Sequence, residues 1–135
     1  SSREQLSYLI PDVTVVKFAD RFEILLNEST YPTIEINDYY RKMSVQSDSA
    51  QVHDYLREKL RQAEWIRTCM EQRGRTIMNV TKTILAMQSE FFEKGPAYLK
   101  PLKQSEVAET IGIHESTVSR AVRQKYLQCS WGIYP

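Results

Sequence analysis

Hydrophobic positions in the middle of the chain follow the spacing of an α-helix over about forty residues. Apolar or small residues recur every three or four positions from Leu56 to Phe91, and no proline interrupts residues 50–94. This spacing places one apolar stripe along a helix, so we predict a helix from about residue 50 to residue 94. Gly74 lies on the stripe and is the position at which the helix would break most easily, since a glycine destabilises a helix by about 1 kcal/mol relative to alanine. A single helix and two helices divided near Gly74 both stay open, and we favour the single one.

The predicted helix is long for the size of the chain. At about 1.5 Å per residue, an unbroken helix over this stretch would measure roughly 60 Å. A chain of 135 residues cannot bury such a helix along its whole length, so we expect it to project or to fold back on itself. Gly95 and Pro96 are expected to end it, because glycine favours the conformation that terminates helices and proline cannot continue one.

The first third of the chain has the pattern of short strands. Residues 13–18 and 22–26 are rich in β-branched and large apolar side chains, and residues 19–21 can turn between them, which predicts a hairpin although the turn has no glycine. Residues 33–36 alternate between polar and apolar and predict a third short strand. A short helix is predicted at residues 38–43.

Residues 104–123 have the pattern of a helix-turn-helix. Two short helices that cross at nearly a right angle need a small residue at the crossing, which Ala108 supplies. The turn needs a residue that tolerates positive φ, which Gly112 supplies. The positions expected to face inward are all apolar: Val107, Ile111, Ile113, Val118 and Ala121. The combination predicts a helix-turn-helix, with a helical hairpin used only for packing as the alternative.

The outward face of the second helix favours DNA recognition over packing. Its side chains are short near the start of the helix and basic further along, which suits a helix that enters the major groove. The residues predicted to contact DNA are Glu115, Ser116, Thr117, Ser119, Arg120, Arg123 and Lys125.

Individual roles within this set differ. Arg120 is predicted to bind a base, because arginine can donate two hydrogen bonds to guanine O6 and N7, with a phosphate contact as the alternative. Arg123 and Lys125 are predicted to bind phosphates. Glu115 can accept a hydrogen bond from cytosine N4 or only stabilise the helix dipole. The three hydroxyl residues are predicted to bind phosphates or to cap the helix.

The predicted fold class is therefore mainly α, with a small N-terminal β-hairpin or sheet, a long projecting helix and a helix-turn-helix module. We expect three segments. Residues 1–49 form a small strand-rich subdomain with a short helix, residues 50–95 form the extra-long helix, and residues 96–135 form the DNA-binding module with an extended C-terminal tail.

Charge and composition agree with a DNA-binding role and offer no catalytic site. The net charge is +1, but residues 1–55 carry 5 basic and 9 acidic side chains, so the basic excess lies in the remainder of the chain. The two cysteines and two histidines have no metal-ligand spacing, and no phosphate-binding loop or nucleophile motif occurs. We therefore expect no enzyme activity, no cofactor and no metal. With no apolar run of about 18 residues and no signal peptide, we expect a cytoplasmic protein without a membrane segment.

Several motifs together resemble one family. Residues 114–121, HESTVSRA, followed by residues 125–127, KYL, are similar to the helix-turn-helix signature of bacterial RNA polymerase sigma-54 factors. Segments resembling that family occur in the same order at residues 9–13, 36–40, 63–66, 71–77, 95–96 and 99–102. Residues 131–135 also resemble it, with Trp131 where the family usually has arginine. The resemblance covers nearly the whole chain.

The resemblance implies a role in promoter recognition. Such factors bind core RNA polymerase and direct it to promoters, and the helix-turn-helix would read the downstream promoter element, with Arg120 at the position of the family's reading arginine. The long helix would meet the inhibitory N-terminal region until an AAA+ activator ATPase remodels the complex. The family's activator-responsive region and the box that reads the upstream element are not in this sequence, so we expect weak promoter binding from this chain alone.

Two other functions stay open. A repressor-like helix-turn-helix dimer could use the apolar stripe of the long helix as a coiled-coil seam. The long helix could also serve only to bind another protein.

Overall fold

The computed structural model describes residues 11–28, 30–32, 42–43 and 49–135. The elements in chain order are β1 (Val13–Phe18), β2 (Arg21–Leu26), α1 (Ala50–Met87), α2 (Ser89–Lys94), a 3-10 turn (Pro96–Tyr98), α3 (Gln104–Ile111), α4 (Glu115–Val122), β3 (Leu127–Cys129) and β4 (Gly132–Tyr134). The predicted fold class is confirmed. The predicted strand at residues 33–36 and helix at residues 38–43 lie outside the described residues, except that Lys42 and Met43 are helical.

The long helix α1 has 38 residues and passes through Gly74 without a break. Ser49 caps its N-terminus, where the side-chain oxygen accepts a hydrogen bond from the Val52 N–H at 3.4 Å. The helix ends at Met87, seven residues earlier than predicted, and α2 follows as a separate helix.

The early end of α1 coincides with Gln88, whose backbone has φ −111° and ψ 30°. Its side chain is buried and bonds the backbone of Lys100 twice: the amide donates to the Lys100 carbonyl at 2.6 Å, and the amide oxygen accepts from the Lys100 N–H at 3.0 Å. The three- and four-residue spacing continues across this point, so periodicity does not reveal the break. Gly95 and Pro96, which were predicted to end the long helix, instead follow α2: Gly95 ends α2 with φ 109°, and Pro96 begins the 3-10 turn.

A four-stranded sheet joins the two ends of the described chain. The strand order is β2-β1-β3-β4. The predicted hairpin is confirmed, with Phe18 opposite Arg21 and a two-residue turn in which Ala19 has φ 49°. The segment predicted as an extended tail instead forms the hairpin β3–β4, and β3 pairs in parallel with β1.

The C-terminal half of α1 supports both parts of the core. One buried cluster comprises Val80, Val107, Ala108 and Val118, and joins α1 to the helix-turn-helix. The other comprises Val15, Phe91 and Phe92, and lies under the sheet. Large apolar side chains on the first half of α1 are exposed instead: Val52, Tyr55, Trp65 and Ile66.

Candidate nucleic-acid interface

The turn between α3 and α4 is built as the sequence predicted. Ala108 is 3% exposed at the helix crossing, and its carbonyl accepts hydrogen bonds from the N–H groups of Gly112 at 2.8 Å and Ile113 at 3.1 Å. Gly112 has φ 86° and ψ 33°, the left-handed conformation that favours glycine. A Cβ at Gly112 would meet no atom within 4 Å, so the backbone conformation, and not lack of space, requires glycine here.

Packing on α1 determines which face of α4 remains free. Val118 is 1% exposed and packs with Val107 against Val80 of the long helix. Because a helix that buries one face leaves the opposite face in solvent, burial of Val118 exposes the polar face of α4. The long helix thereby mounts the second helix of the motif with its polar face accessible.

Most of the side chains predicted to contact DNA lie on this outward face. Glu115, Ser116, Ser119, Arg120 and Arg123 are exposed, and Thr117 is half-buried. Within the described ranges, neither arginine takes part in an ion pair. The two guanidinium groups are therefore available to an anionic partner.

The N-terminus of α4 has no side-chain cap within the described structure. His114 occupies the N-cap position without a side-chain hydrogen bond. Glu115 lies in the first turn, where a negative charge stabilises the helix dipole. The Thr117 N–H donates to the His114 carbonyl at 3.0 Å, which leaves the N–H groups of Glu115 and Ser116 to solvent or to an anion such as phosphate.

Lys125 lies in a different environment from the two arginines. It follows Gln124, which has φ 55°, and its side chain is only 24% exposed. The ammonium lies 3.9 Å from the Asp12 carboxylate and 5.7 Å from the centre of the Tyr31 ring. The phosphate contact predicted for Lys125 stays a prediction, and Asp12 competes for the same charge.

Asp12 connects the N-terminal hairpin to the segment after α4. Its carboxylate accepts hydrogen bonds from the Tyr126 N–H at 2.9 Å and from the Thr30 hydroxyl at 3.0 Å. Its own N–H donates to the Tyr126 carbonyl at 2.9 Å. These bonds hold the segment that follows α4 against the start of β1.

A cationic cleft between α1 and α4 adds a residue that sequence reasoning missed. The cleft has a volume of about 280 Å³, and Arg73 of α1 lines it together with Thr117 and Arg120 of α4. Tyr31 also lines it; burial and the Asp12 carboxylate raise the pKa of Tyr31, and Arg73 opposes that shift. Arg73 belongs to the predicted long helix and to residues 71–77, one of the segments with a family resemblance, but neither pattern predicted a DNA contact for it.

Metal-binding clusters and disulfide bonds do not occur among the described residues. Among them, no group of three or more His, Cys, Asp or Glu side chains could hold a metal ion, and Cys69 and Cys129 are free thiols. In the same part of the chain, no helix combines the length and the apolarity needed to cross a membrane.

Comparison with known proteins gives two family matches. Residues 53–135 match the family described as "Sigma-54, DNA binding domain", and residues 1–40 match "Sigma-54 factor, core binding domain". The RNA polymerase sigma-54 factor of Shewanella violacea is 37% identical over 127 residues, covering 94% of this chain and 26% of that protein. The corresponding factor of Escherichia coli is 35% identical over 127 residues, covering 94% and 27%. The chain thus spans about a quarter of the curated relatives it matches.

A solved structure is similar over the same extent. The crystal structure of Aquifex aeolicus sigmaN bound to promoter DNA aligns with a TM-score of 0.70 and 32% identity. The alignment covers 94% of this chain and 38% of that chain.

Proposed function

Since the chain belongs to the sigma-54 family, we propose that its helix-turn-helix recognises promoter DNA on behalf of RNA polymerase. The observation that carries this proposal is the outward face of α4, which presents Ser116, Ser119 and Arg120 to solvent while Val118 anchors the helix to α1. Arg123, the C-cap residue of α4, is exposed as well. The function is one of binding, with no catalytic step of its own.

In this proposal α4 lies in the major groove over the downstream promoter element. Arg120, in the last turn, binds a guanine through two hydrogen bonds, and the hydroxyls of Ser116 and Ser119 bind phosphates. Arg123 binds a phosphate next to the helix end.

Arg73 of α1 adds a further phosphate contact, because it lines the same cleft as Arg120. Lys125 contributes less than the arginines, since Asp12 already partners its ammonium.

Protein partners follow from the family. Residues 1–40 match the core-binding domain, so we propose core RNA polymerase as a partner, with an AAA+ activator ATPase acting on the assembled complex. The exposed apolar side chains on the first half of α1, among them Tyr55, Trp65 and Ile66, support a role for this helix in contacts with polymerase or with the inhibitory region.

The same exposed side chains favour one competing function, a repressor-like dimer. Such a dimer would pair the first halves of two α1 helices and read two half-sites. Light scattering coupled to size-exclusion chromatography separates the two functions: a monomer at micromolar concentration supports the sigma-factor role, and a stable dimer that prefers palindromic DNA supports the repressor.

Fluorescence anisotropy tests the proposed DNA contact directly. The chain is titrated against a duplex with the family's promoter sequence and against a scrambled duplex, over a range of salt concentrations. We expect Arg120→Ala to lower affinity for the promoter duplex by about 1–3 kcal/mol, or roughly 5- to 150-fold, with a smaller loss on the scrambled duplex. Arg61→Ala is the matched control, because Arg61 is an exposed arginine of α1 that pairs with Glu58. Unchanged preference between the two duplexes in Arg120→Ala would contradict the proposed role.

A further inference from the structure

A large cavity lies between the helix-turn-helix and the sheet. Its volume is about 800 Å³, and Val80, Ile84, Phe91, Val118 and Leu127 contribute to its walls. Ile84 packs against both buried clusters, so the cavity lies where the two cores adjoin. Sites for small molecules have volumes of about 300–1,000 Å³ and mainly apolar walls, and this cavity meets both criteria.

The polar groups in the interior of the cavity already have partners. The Thr81 hydroxyl donates to the Ile77 carbonyl at 2.7 Å, and the Gln88 side chain bonds both backbone groups of Lys100. Neither group needs a hydrogen bond from a ligand. The interior therefore favours the apolar part of an incoming molecule.

Uncompensated positive charge surrounds this apolar interior. The described lining residues include Lys103, Arg123 and Lys125 but no aspartate or glutamate. Lys125 is paired with Asp12, whereas Lys103 and Arg123 are exposed and form no ion pair within the described ranges. A cationic rim beside an apolar cavity is complementary to a molecule that has an apolar body and an anionic group.

We propose that this cavity binds an amphipathic carboxylate with a medium-length aliphatic chain. The chain lies along the partly exposed apolar walls at Ile84, Leu102 and Leu127, and the carboxylate lies at the rim with Lys103 and Arg123. Ser119 and Arg123 also belong to the face proposed to bind DNA, so the bound molecule weakens DNA binding. This second step rests on the proposed function, whereas binding of the carboxylate does not.

Isothermal titration calorimetry on the chain without DNA tests the binding step, with decanoate, decanol and butyrate as probes below micelle-forming concentrations. We expect decanoate to bind at least tenfold more tightly than decanol, which lacks the charge, and than butyrate, which lacks the chain. The double variant Lys103→Gln/Arg123→Gln is expected to lose the preference for decanoate over decanol. The control variant Arg61→Gln removes an exposed charge elsewhere and is expected to retain it. Equal affinity for decanoate and decanol in the unaltered chain would overturn the proposal.

Amide chemical shifts locate the bound decanoate. We expect the largest changes at cavity residues such as Val80, Val118 and Leu127. Changes concentrated at Tyr55, Trp65 and Ile66, the exposed apolar side chains of α1, would mean non-specific binding and would also overturn the proposal.

Anisotropy with promoter DNA then tests the coupling between the two ligands. Saturating decanoate is expected to weaken DNA binding several-fold, and to a smaller extent in the double variant. Decanoate binding with unchanged DNA affinity would refute the coupling alone. Failure of the chain to prefer promoter DNA, with decanoate binding intact, would refute the proposed function and leave the cavity site standing.

Discussion

Replacement of Gly74 by alanine tests whether α1 is one continuous helix. Gly74 lies in the interior of α1, where glycine costs about 1 kcal/mol relative to alanine because it loses more backbone freedom on folding. A Cβ at this position would lie 3.9 Å from Cδ1 of Leu26, an ordinary van der Waals distance. The added methyl group therefore displaces nothing, and we expect Gly74→Ala to raise the free energy of unfolding by about 1 kcal/mol.

Two other glycines provide matched controls for the same chemical change. Gly112 has φ 86° with open space around a Cβ, so Gly112→Ala is expected to cost about 1–2 kcal/mol through conformation alone. Gly95 has φ 109°, and its Cβ would approach the Trp131 ring to 3.2 Å. Gly95→Ala is therefore expected to be the most damaging of the three, because steric contact adds to a conformational cost of about 1–3 kcal/mol.

Urea unfolding followed by circular dichroism measures all three differences. A gain of 1 kcal/mol should also raise the thermal midpoint by roughly 4 °C in a chain of this size. From most to least stable, the expected order is Gly74→Ala, the unaltered chain, Gly112→Ala and Gly95→Ala. A loss of stability in Gly74→Ala, or no change, would mean that the helix bends at Gly74 and would refute the argument.

Three further predictions concern the contacts of Asp12 and the cleft between α1 and α4. Asp12→Ala removes the acceptor of the Tyr126 N–H, and an unpaired, partly buried donor lowers the free energy of unfolding by about 1–3 kcal/mol, which urea unfolding can measure. A loss of less than about 0.5 kcal/mol, as for an ordinary surface substitution, would contradict this role. Arg73→Ala is expected to weaken binding to the promoter and scrambled duplexes alike and to reduce the salt slope of binding by about 1. Arg75→Ala removes the same charge outside the cleft and should have less effect. Equal effects of the two substitutions would contradict a phosphate contact in the cleft. Lys125→Met keeps the apolar stem but breaks the ion pair with Asp12, so we expect lower stability and a smaller reduction of the salt slope than in Arg73→Ala. A reduction as large as in Arg73→Ala would show that Asp12 does not compete for the Lys125 ammonium.

Local signals in the sequence were sufficient for most of α1, for the first hairpin and for the helix-turn-helix. The periodicity of α1, the β-branched residues of the first hairpin and the pair Ala108 and Gly112 each act over a few neighbouring residues. The face of α4 that is free for DNA could be predicted for the same reason, since helical geometry places Val118 opposite Ser116 and Arg120 whatever the rest of the chain does.

Only the tertiary structure decided how these elements meet. The end of α1 coincides with hydrogen bonds between Gln88 and Lys100, and the partner of Lys125 is Asp12, at the other end of the described chain. The strands β3 and β4 have three residues each and are too short to stand out from sequence, and β3 finds its place only by pairing with β1. Residue pattern determines what a segment becomes, because propensity and periodicity are local; contacts between distant segments depend on how the whole chain packs, and no local pattern specifies them.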